Sequence, residues 1–253
     1  MKKTLICAPL ARELKYVLSN FPAGRRTGWT SGGVFSVQTT SGEVVFIRTG
    51  IGTINAESSI KSLLRELHPD LILSLGFGGA LYEGLAAGDI IWASRVFFLP
   101  AMTSGPIGTE ISEIPLPGSM RVAHRLAGII PLREGCIVTL ENLVKKPEIR
   151  KRLPAGISFP VCDMETFVLA RAATRQGIPF FAARSISDTS DHEIPPELLD
   201  IFDESGKILY FRLAKRVLYK PGLAMDMVRL RRNSERAGKS LGALVKSFLE
   251  TSV

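Results

Sequence analysis

The sequence predicts an α/β fold, and three observations carry that prediction. Short apolar runs rich in β-branched residues alternate along the chain with amphipathic stretches of helical length. Two of these runs lead into glycine clusters, Gly50-Ile51-Gly52 and Gly76-Phe77-Gly78-Gly79, where a chain turns tightly or lets another group approach its backbone. A chain of 253 residues, 45% apolar and 22% charged, suffices for one domain with a substantial core.

The elements follow in order. Lys3-Thr4-Leu5-Ile6-Cys7-Ala8 predicts a buried strand over 3–8. With Met1-Lys2 in front it looks superficially like a signal peptide. Its apolar run is too short, however, and the amphipathic Ala11-Arg12-Glu13-Leu14-Lys15 follows without a cleavage site, so a helix is expected over 10–19. Strands are expected over 34–39 and 43–49. The second feeds the turn Thr49-Gly50-Ile51-Gly52 and a helix over 53–67, with Thr53 or Asn55 near its start. Further strands fit 71–76, 89–98, 135–139, 158–162 and 179–185, and further helices fit 119–129, 147–153, 164–176 and 206–218. The Pro/Gly-rich stretch from Leu99 to Gly118 lacks periodicity and is long for a plain connector, which suggests a binding-site loop. Pro221-Gly222 then breaks the chain. Beyond it Leu223, Met227, Leu230, Leu241, Leu244, Val245 and Phe248 mark apolar helical faces expected to break near Gly238. The organisation expected is a catalytic domain over 1–220 and a basic helical extension over 221–253.

Composition excludes several function classes. No stretch of 18 apolar residues exists, so no membrane span is expected. Cys7, Cys136 and Cys162 are scattered in apolar runs and read as structural thiols in a reducing cytoplasm. His68, His124 and His192 form no ligand pattern, so neither metal nor cofactor is implied. The net charge of +8 resides in the tail, because residues 207–253 hold 11 Lys/Arg against 3 Asp/Glu while the rest balances. The body therefore has no nucleic-acid footprint. The tail, with Arg229-Leu230-Arg231-Arg232, reads as a solvated helix, as a basic element at an anionic membrane surface, or as a nucleic-acid patch. The last is disfavoured because no aromatic residues interleave the charges.

The chemistry is concentrated in Val161-Cys162-Asp163-Met164-Glu165-Thr166 and in Arg184-Ser185-Ile186-Ser187-Asp188. Each group stands at the C-terminal end of an expected strand, where open α/β sheets bind ligands. Helix capping accounts equally well for Asp163 and Glu165, and an Asx-turn for Asp188. From the residues alone these alternatives stay open.

The two segments, some 20 residues apart, resemble the nucleoside phosphorylase/nucleosidase superfamily, and within it the methylthioadenosine/S-adenosylhomocysteine nucleosidases, whose corresponding stretch runs from Glu-Met-Glu to Arg-Ala-Ile-Ser-Asp. The likeness extends to the Gly50-Ile51-Gly52 turn with Asn55-Ala56, to Gly76 through Leu81, and to Gly88-Asp89-Ile90. It implies a three-layer α/β/α domain around a mixed, twisted central sheet, partly closed as a barrel. It also implies cleavage of the N-glycosidic bond of a purine nucleoside. Met164 would pack under the sugar, Glu165 would hold the ribose hydroxyls, and Asp188 would contact purine N7 and the exocyclic amine. Asp163, Ser187, Ile51, Phe77 and Gly78 would border the substrate, Leu143 would stack on the base, and the Val144 backbone would bind its edge. Glu13 would activate the attacking water, and Arg184 would help hold that water or an anion. The residue types suit the reaction. A departing base gathers negative charge, and an acid sharing a proton with it contributes roughly 10²–10⁴-fold in rate. A carboxylate beside an oxocarbenium-like sugar stabilises its positive charge.

The nucleophile follows from a departure. Phosphate users of the superfamily carry Arg and a hydroxyl residue where this chain has Ser74 and Phe77, so water is favoured and phosphate is the alternative. The hydrolases usually have Ser or Ile at the position of Phe77, so an unusual substrate is also possible. A lipid nucleoside of the hopanoid type would suit Phe77, Phe97 and Phe98 with a membrane-seeking tail. A non-catalytic nucleoside-binding protein is the remaining alternative. By analogy the chain is expected to form a homodimer.

Overall fold

A computed structural model of the chain describes residues 2–21, 34–40, 42–101, 111–191 and 222–251. Its strands are β1 (Lys3–Ala8), β2 (Val34–Thr39), β3 (Gly42–Arg48), β4 (Leu71–Ala80), β5 (Ile90–Leu99), β6 (Ser112–Pro115), β7 (Arg133–Leu140), β8 (Pro160–Asp163) and β9 (Phe180–Asp188). Its helices are α1 (Ala11–Leu18), α2 (Thr53–Leu67), α3 (Ser119–Ala127), α4 (Lys146–Arg152), α5 (Thr166–Arg175) and α6 (Gly222–Thr251). The helix expected over 206–218 lies outside the described residues.

The strands form one mixed sheet in the order β2-β3-β1-β4-β8-β7-β5-β6, and β9 pairs with both β4 and β5. These pairings close a ring through β4, β8, β7, β5 and β9, with β4–β8 and β5–β9 antiparallel and the other contacts parallel. The expected mixed sheet, partly closed as a barrel, is therefore present. Long strands make this possible, because β4 pairs with β1 through Leu71–Ser74 and with β8 through Gly79 and Ala80.

Alternation along the strands distributes the core to two faces. Leu5 and Cys7 join Ala56, Ile60 and Leu64 of α2 and Leu169 and Ala173 of α5 on one side. Ile6 and Ala8 join Leu14 of α1, Leu126 of α3, and Leu241, Leu244 and Phe248 of α6 on the other. The result is the expected three layers.

Three elements differ from the sequence reading. The strand expected over 71–76 runs on to Ala80, because its glycines lie inside the ladder with β9 and admit side chains that cross it. A Cβ on Gly78 would sit 3.0 Å from Arg184 Cβ, and one on Gly79 would sit 2.6 Å from Asp188 Oδ2. Strand β6 arises within the stretch read as a loop, where Ser112–Pro115 pairs with Arg95–Phe98. Finally, α6 is a single helix of 30 residues that passes Gly238 without a break. The glycine serves packing there, since a Cβ would meet the Tyr16 ring at 2.2 Å. The N-terminal half of α6 exposes Arg229, Arg231, Arg232 and Arg236, whereas its C-terminal half buries a face of Leu241, Leu244, Val245 and Phe248 in the core. No helix among the described residues is long and apolar enough to cross a membrane.

Candidate active site

The C-terminal ends of β1, β4, β8 and β9 meet the turn after β3 and the first residues of α1 at a cavity of about 360 Å³. That is room for a ligand of nucleoside size. It is lined by Glu13, Ile51, Phe77, Gly78, Leu143, Asp163, Met164, Glu165, Ser187 and Asp188, ten of the twelve residues expected at the site from sequence. Arg184 and Val144 are not among the lining residues.

Glu13 lies in the first turn of α1, buried, with each carboxylate oxygen on a backbone amide. Leu10 N–H donates to Oε2 at 2.7 Å, and Phe77 N–H donates to Oε1 at 2.8 Å. Burial raises its carboxyl above the usual carboxylate range, although these two amides and the Arg184 and Arg12 guanidiniums pull the other way. The first bond is a helix-cap interaction. The second joins α1 to β4 and carries Glu13 to the mouth of the strand ends.

Glu165 precedes α5 at its N-cap position, but its side chain makes no capping bond. Its Oε1 instead accepts the Gly52 N–H at 2.7 Å. Gly52 has φ 87° and Gly50 has φ 80°, left-handed conformations that glycine adopts without strain, so the turn after β3 can offer this amide. Burial, with the negative charge of Asp163 added, pushes the Glu165 carboxyl up to about 8. The capping alternative therefore fails for Glu165.

It holds for Asp163. Asp163 Oδ2 accepts the Thr166 N–H at 3.0 Å, the Thr166 hydroxyl, and Arg184 Nε and Nη2 at 3.1 and 2.6 Å, while Oδ1 accepts the Thr139 hydroxyl at 2.7 Å. The carboxylate borders the cavity, but its hydrogen bonds go to the protein, where it fixes the start of α5.

Arg184 takes a different place from the one expected. It is fully buried beneath the site, paired with Asp163, and it also donates to Ser74 Oγ at 3.1 Å, Thr166 Oγ1 at 2.6 Å and its neighbour's Ala183 carbonyl. A guanidinium bonded in this way supports the floor of the site. The Val144 side chain packs against the small core cluster of Leu140 and Ile149. Leu143 beside it is 59% exposed at the cavity rim.

At Asp188, Oδ1 accepts the Ser187 hydroxyl at 3.0 Å and Oδ2 pairs with Lys146 Nζ at 2.7 Å. Among the described residues it makes no turn bond to backbone N–H, so the Asx-turn alternative fails. Lys146 was not anticipated. Its signal was a second lysine directly before Pro147, at a helix start where a cation opposes the helix dipole. Leu230 and Ser234 of α6 also reach the cavity, unsignalled except by the apolar spacing of the tail. Phe77 stands with its ring under the Arg12 guanidinium, 5.8 Å from ring centroid to Cζ. Among the described residues, no three His, Cys, Asp or Glu are grouped to hold a metal ion.

A family model described as the phosphorylase superfamily matches residues 5–218. A 5′-methylthioadenosine/S-adenosylhomocysteine nucleosidase of Staphylococcus saprophyticus is 29% identical over 164 residues, covering 59% of this chain and 70% of the relative. One from Shewanella halifaxensis is 26% identical over 176 residues, covering 65% of this chain and 76% of the relative. Among solved structures, the Neisseria meningitidis nucleosidase of that name, in complex with methylthio-immucillin-A, superposes with TM-score 0.71 at 17% identity, over 100% of both chains. The native futalosine hydrolase of Helicobacter pylori superposes with TM-score 0.69 at 17% identity, over 98% of this chain and 97% of that one. These superpositions concern the fold.

Proposed function

The chain belongs to the phosphorylase superfamily, and from that premise we propose that it is a nucleosidase, hydrolysing the N-glycosidic bond of a purine nucleoside. One observation carries the reading. Glu13 in the first turn of α1, Glu165 before α5 and Asp188 at the end of β9 all line one nucleoside-sized cavity. The relatives named as nucleosidases support the reaction class.

In this reading the ribose lies over Met164, its hydroxyls on Glu165, and the base lies between Leu143 and Asp188. Glu13 accepts a proton from water as the water attacks C1′. A buried carboxyl with a raised pKa is the stronger base once ionised, and its two backbone amides fix its direction. Glu165 orients the sugar through its hydroxyls, and Asp188 faces the base as it leaves. Phosphate finds little to bind. Ser74, where phosphate users of the superfamily carry Arg, is fully buried and bonded to Arg184, and Phe77 offers a ring where a hydroxyl would serve an oxyanion.

A second cavity of about 410 Å³ adjoins the site between α1 and α6 and shares Arg12, Phe77, Leu230 and Ser234 with it. Its walls include Tyr16, Met227 and Val228, which favours a bulky and partly apolar 5′ substituent over a bare hydroxyl. The test is base release from adenosine, inosine, methylthioadenosine and S-adenosylhomocysteine, each with and without phosphate. Release independent of phosphate, faster with the 5′-substituted nucleosides, is expected. No release from any of them would refute the proposal.

A further inference from the structure

Lys146 opens α4, and nothing in the helix itself calls for a lysine there. A cation in a first turn opposes the helix dipole, and burying its ammonium adds a desolvation cost. Yet the Lys146 side chain is 7% exposed and its Nζ lies 2.7 Å from Oδ2 of Asp188, itself 14% exposed. The same Nζ donates to the Thr189 carbonyl at 2.6 Å. One turn further along α4, Arg150 donates from Nη2 to the Ser190 carbonyl at 3.1 Å and from Nε to the Leu81 carbonyl. Helix α4 thus grips the chain after β9 at two points, and Lys146 is the grip that also reaches the carboxylate.

We infer that Lys146 is the positioning residue through which Asp188 acts, fixing its carboxylate toward the base and supplying the proton it passes on. This rests on the purine nucleoside reading above. As the C1′–N9 bond breaks, its electron pair moves to the base. A proton passes from Lys146 Nζ to Asp188 and from the Asp188 carboxyl to N7. The base leaves neutral, Asp188 ends as a carboxylate and Lys146 as a neutral amine. Water leaves its hydroxyl on C1′ and its other proton on Glu13, and exchange with solvent returns one proton to Lys146 before the next turnover. Overall one water is split between sugar and base.

The test compares steady-state base release by wild type, Lys146→Met, Lys146→Arg, Arg150→Met, Asp188→Asn and the double variant Lys146→Met/Asp188→Asn. The substrate is whichever of the four nucleosides the wild type turns over fastest. Lys146→Met is expected to lower kcat about 100-fold with KM within about threefold, and Lys146→Arg to recover about tenfold of that loss. Arg150→Met loosens the same chain without touching the carboxylate, and is expected to lower kcat by less than about threefold. In the Asp188→Asn background, Lys146→Met is expected to cost less than about threefold more, because the two residues act as one unit. Thermal melts accompany each variant. If Lys146→Met alone does not fold, the Lys146→Arg variant and the double variant, which leaves no lone buried charge, carry the comparison. Wild-type kcat in Lys146→Met, an equal loss in Arg150→Met, or a fully additive loss in the Asp188→Asn background would overturn the inference. Wild-type protein releasing no base would overturn the functional reading and this inference together, whereas normal wild-type release with an unimpaired Lys146→Met overturns this inference alone.

Discussion

Replacing Glu165 by Gln should make the protein more stable while removing its activity. In the folded chain burial and Asp163 push the Glu165 carboxyl from 4.5 to about 8. The folded state therefore holds a proton that the unfolded chain gives up above about pH 4.5, and stability falls as pH rises from there until about pH 8, where the folded form also ionises. At about 1.4 kcal/mol per pH unit, the loss by pH 7 is on the order of 3 kcal/mol, and it is a little under about 1 kcal/mol at pH 5. Glutamine keeps the oxygen that accepts the Gly52 N–H at 2.7 Å but has no proton to lose. Urea unfolding of wild type and Glu165→Gln at pH 5, 7 and 8.5 measures this. The variant's advantage should grow by about 2–3 kcal/mol from pH 5 to pH 7 and by about 1 kcal/mol more by pH 8.5, with unchanged denaturant slopes. Equal stability of the two proteins at pH 8.5, or a gap that does not widen with pH, would refute the reasoning.

Other consequences follow from the same geometry. Glu13→Gln leaves one of the two amide partners an acceptor, turns an NH2 donor toward the other and has no base to offer, so kcat for base release should fall roughly 10²–10⁴-fold by steady-state kinetics, with a thermal melt to read the cost of the lost amide bond separately. Leu244→Ala, in the buried half of α6, should cost about 2–5 kcal/mol by urea unfolding, which would make the tail part of the fold. Gly238→Val would drive a side chain into the Tyr16 ring and should lower the melting temperature, whereas Arg232→Ala on the exposed half should leave it within about a degree.

Much of this fold was legible because both sheet faces are buried. Strands such as Leu71–Leu75, apolar but for Ser74, and Phe180–Ala183 stand out against amphipathic helices such as α2, which begins and ends where expected. What escaped were features that local patterns do not encode. Strand β6 depends on its pairing with β5. The continuity of α6 at Gly238 depends on Tyr16, more than 200 residues away in sequence. The site divides in the same way. Glu13, Glu165 and Asp188 were legible because each ends a strand or starts a helix. The assignment of Arg184 to the cavity missed that Asp163, Thr166 and Ser74 enclose its guanidinium. Lys146 was missed because its meaning lies in Asp188, 42 residues on.

The central claim is that water attacks C1′ of a purine nucleoside in the cavity that joins Glu13, Glu165 and Asp188. Turnover in ¹⁸O-labelled water with phosphate present, followed by mass spectrometry of the sugar, tests it directly. The account predicts a free sugar carrying one ¹⁸O at C1 and an unlabelled purine base. A sugar 1-phosphate without label at C1, or no base released, would contradict it.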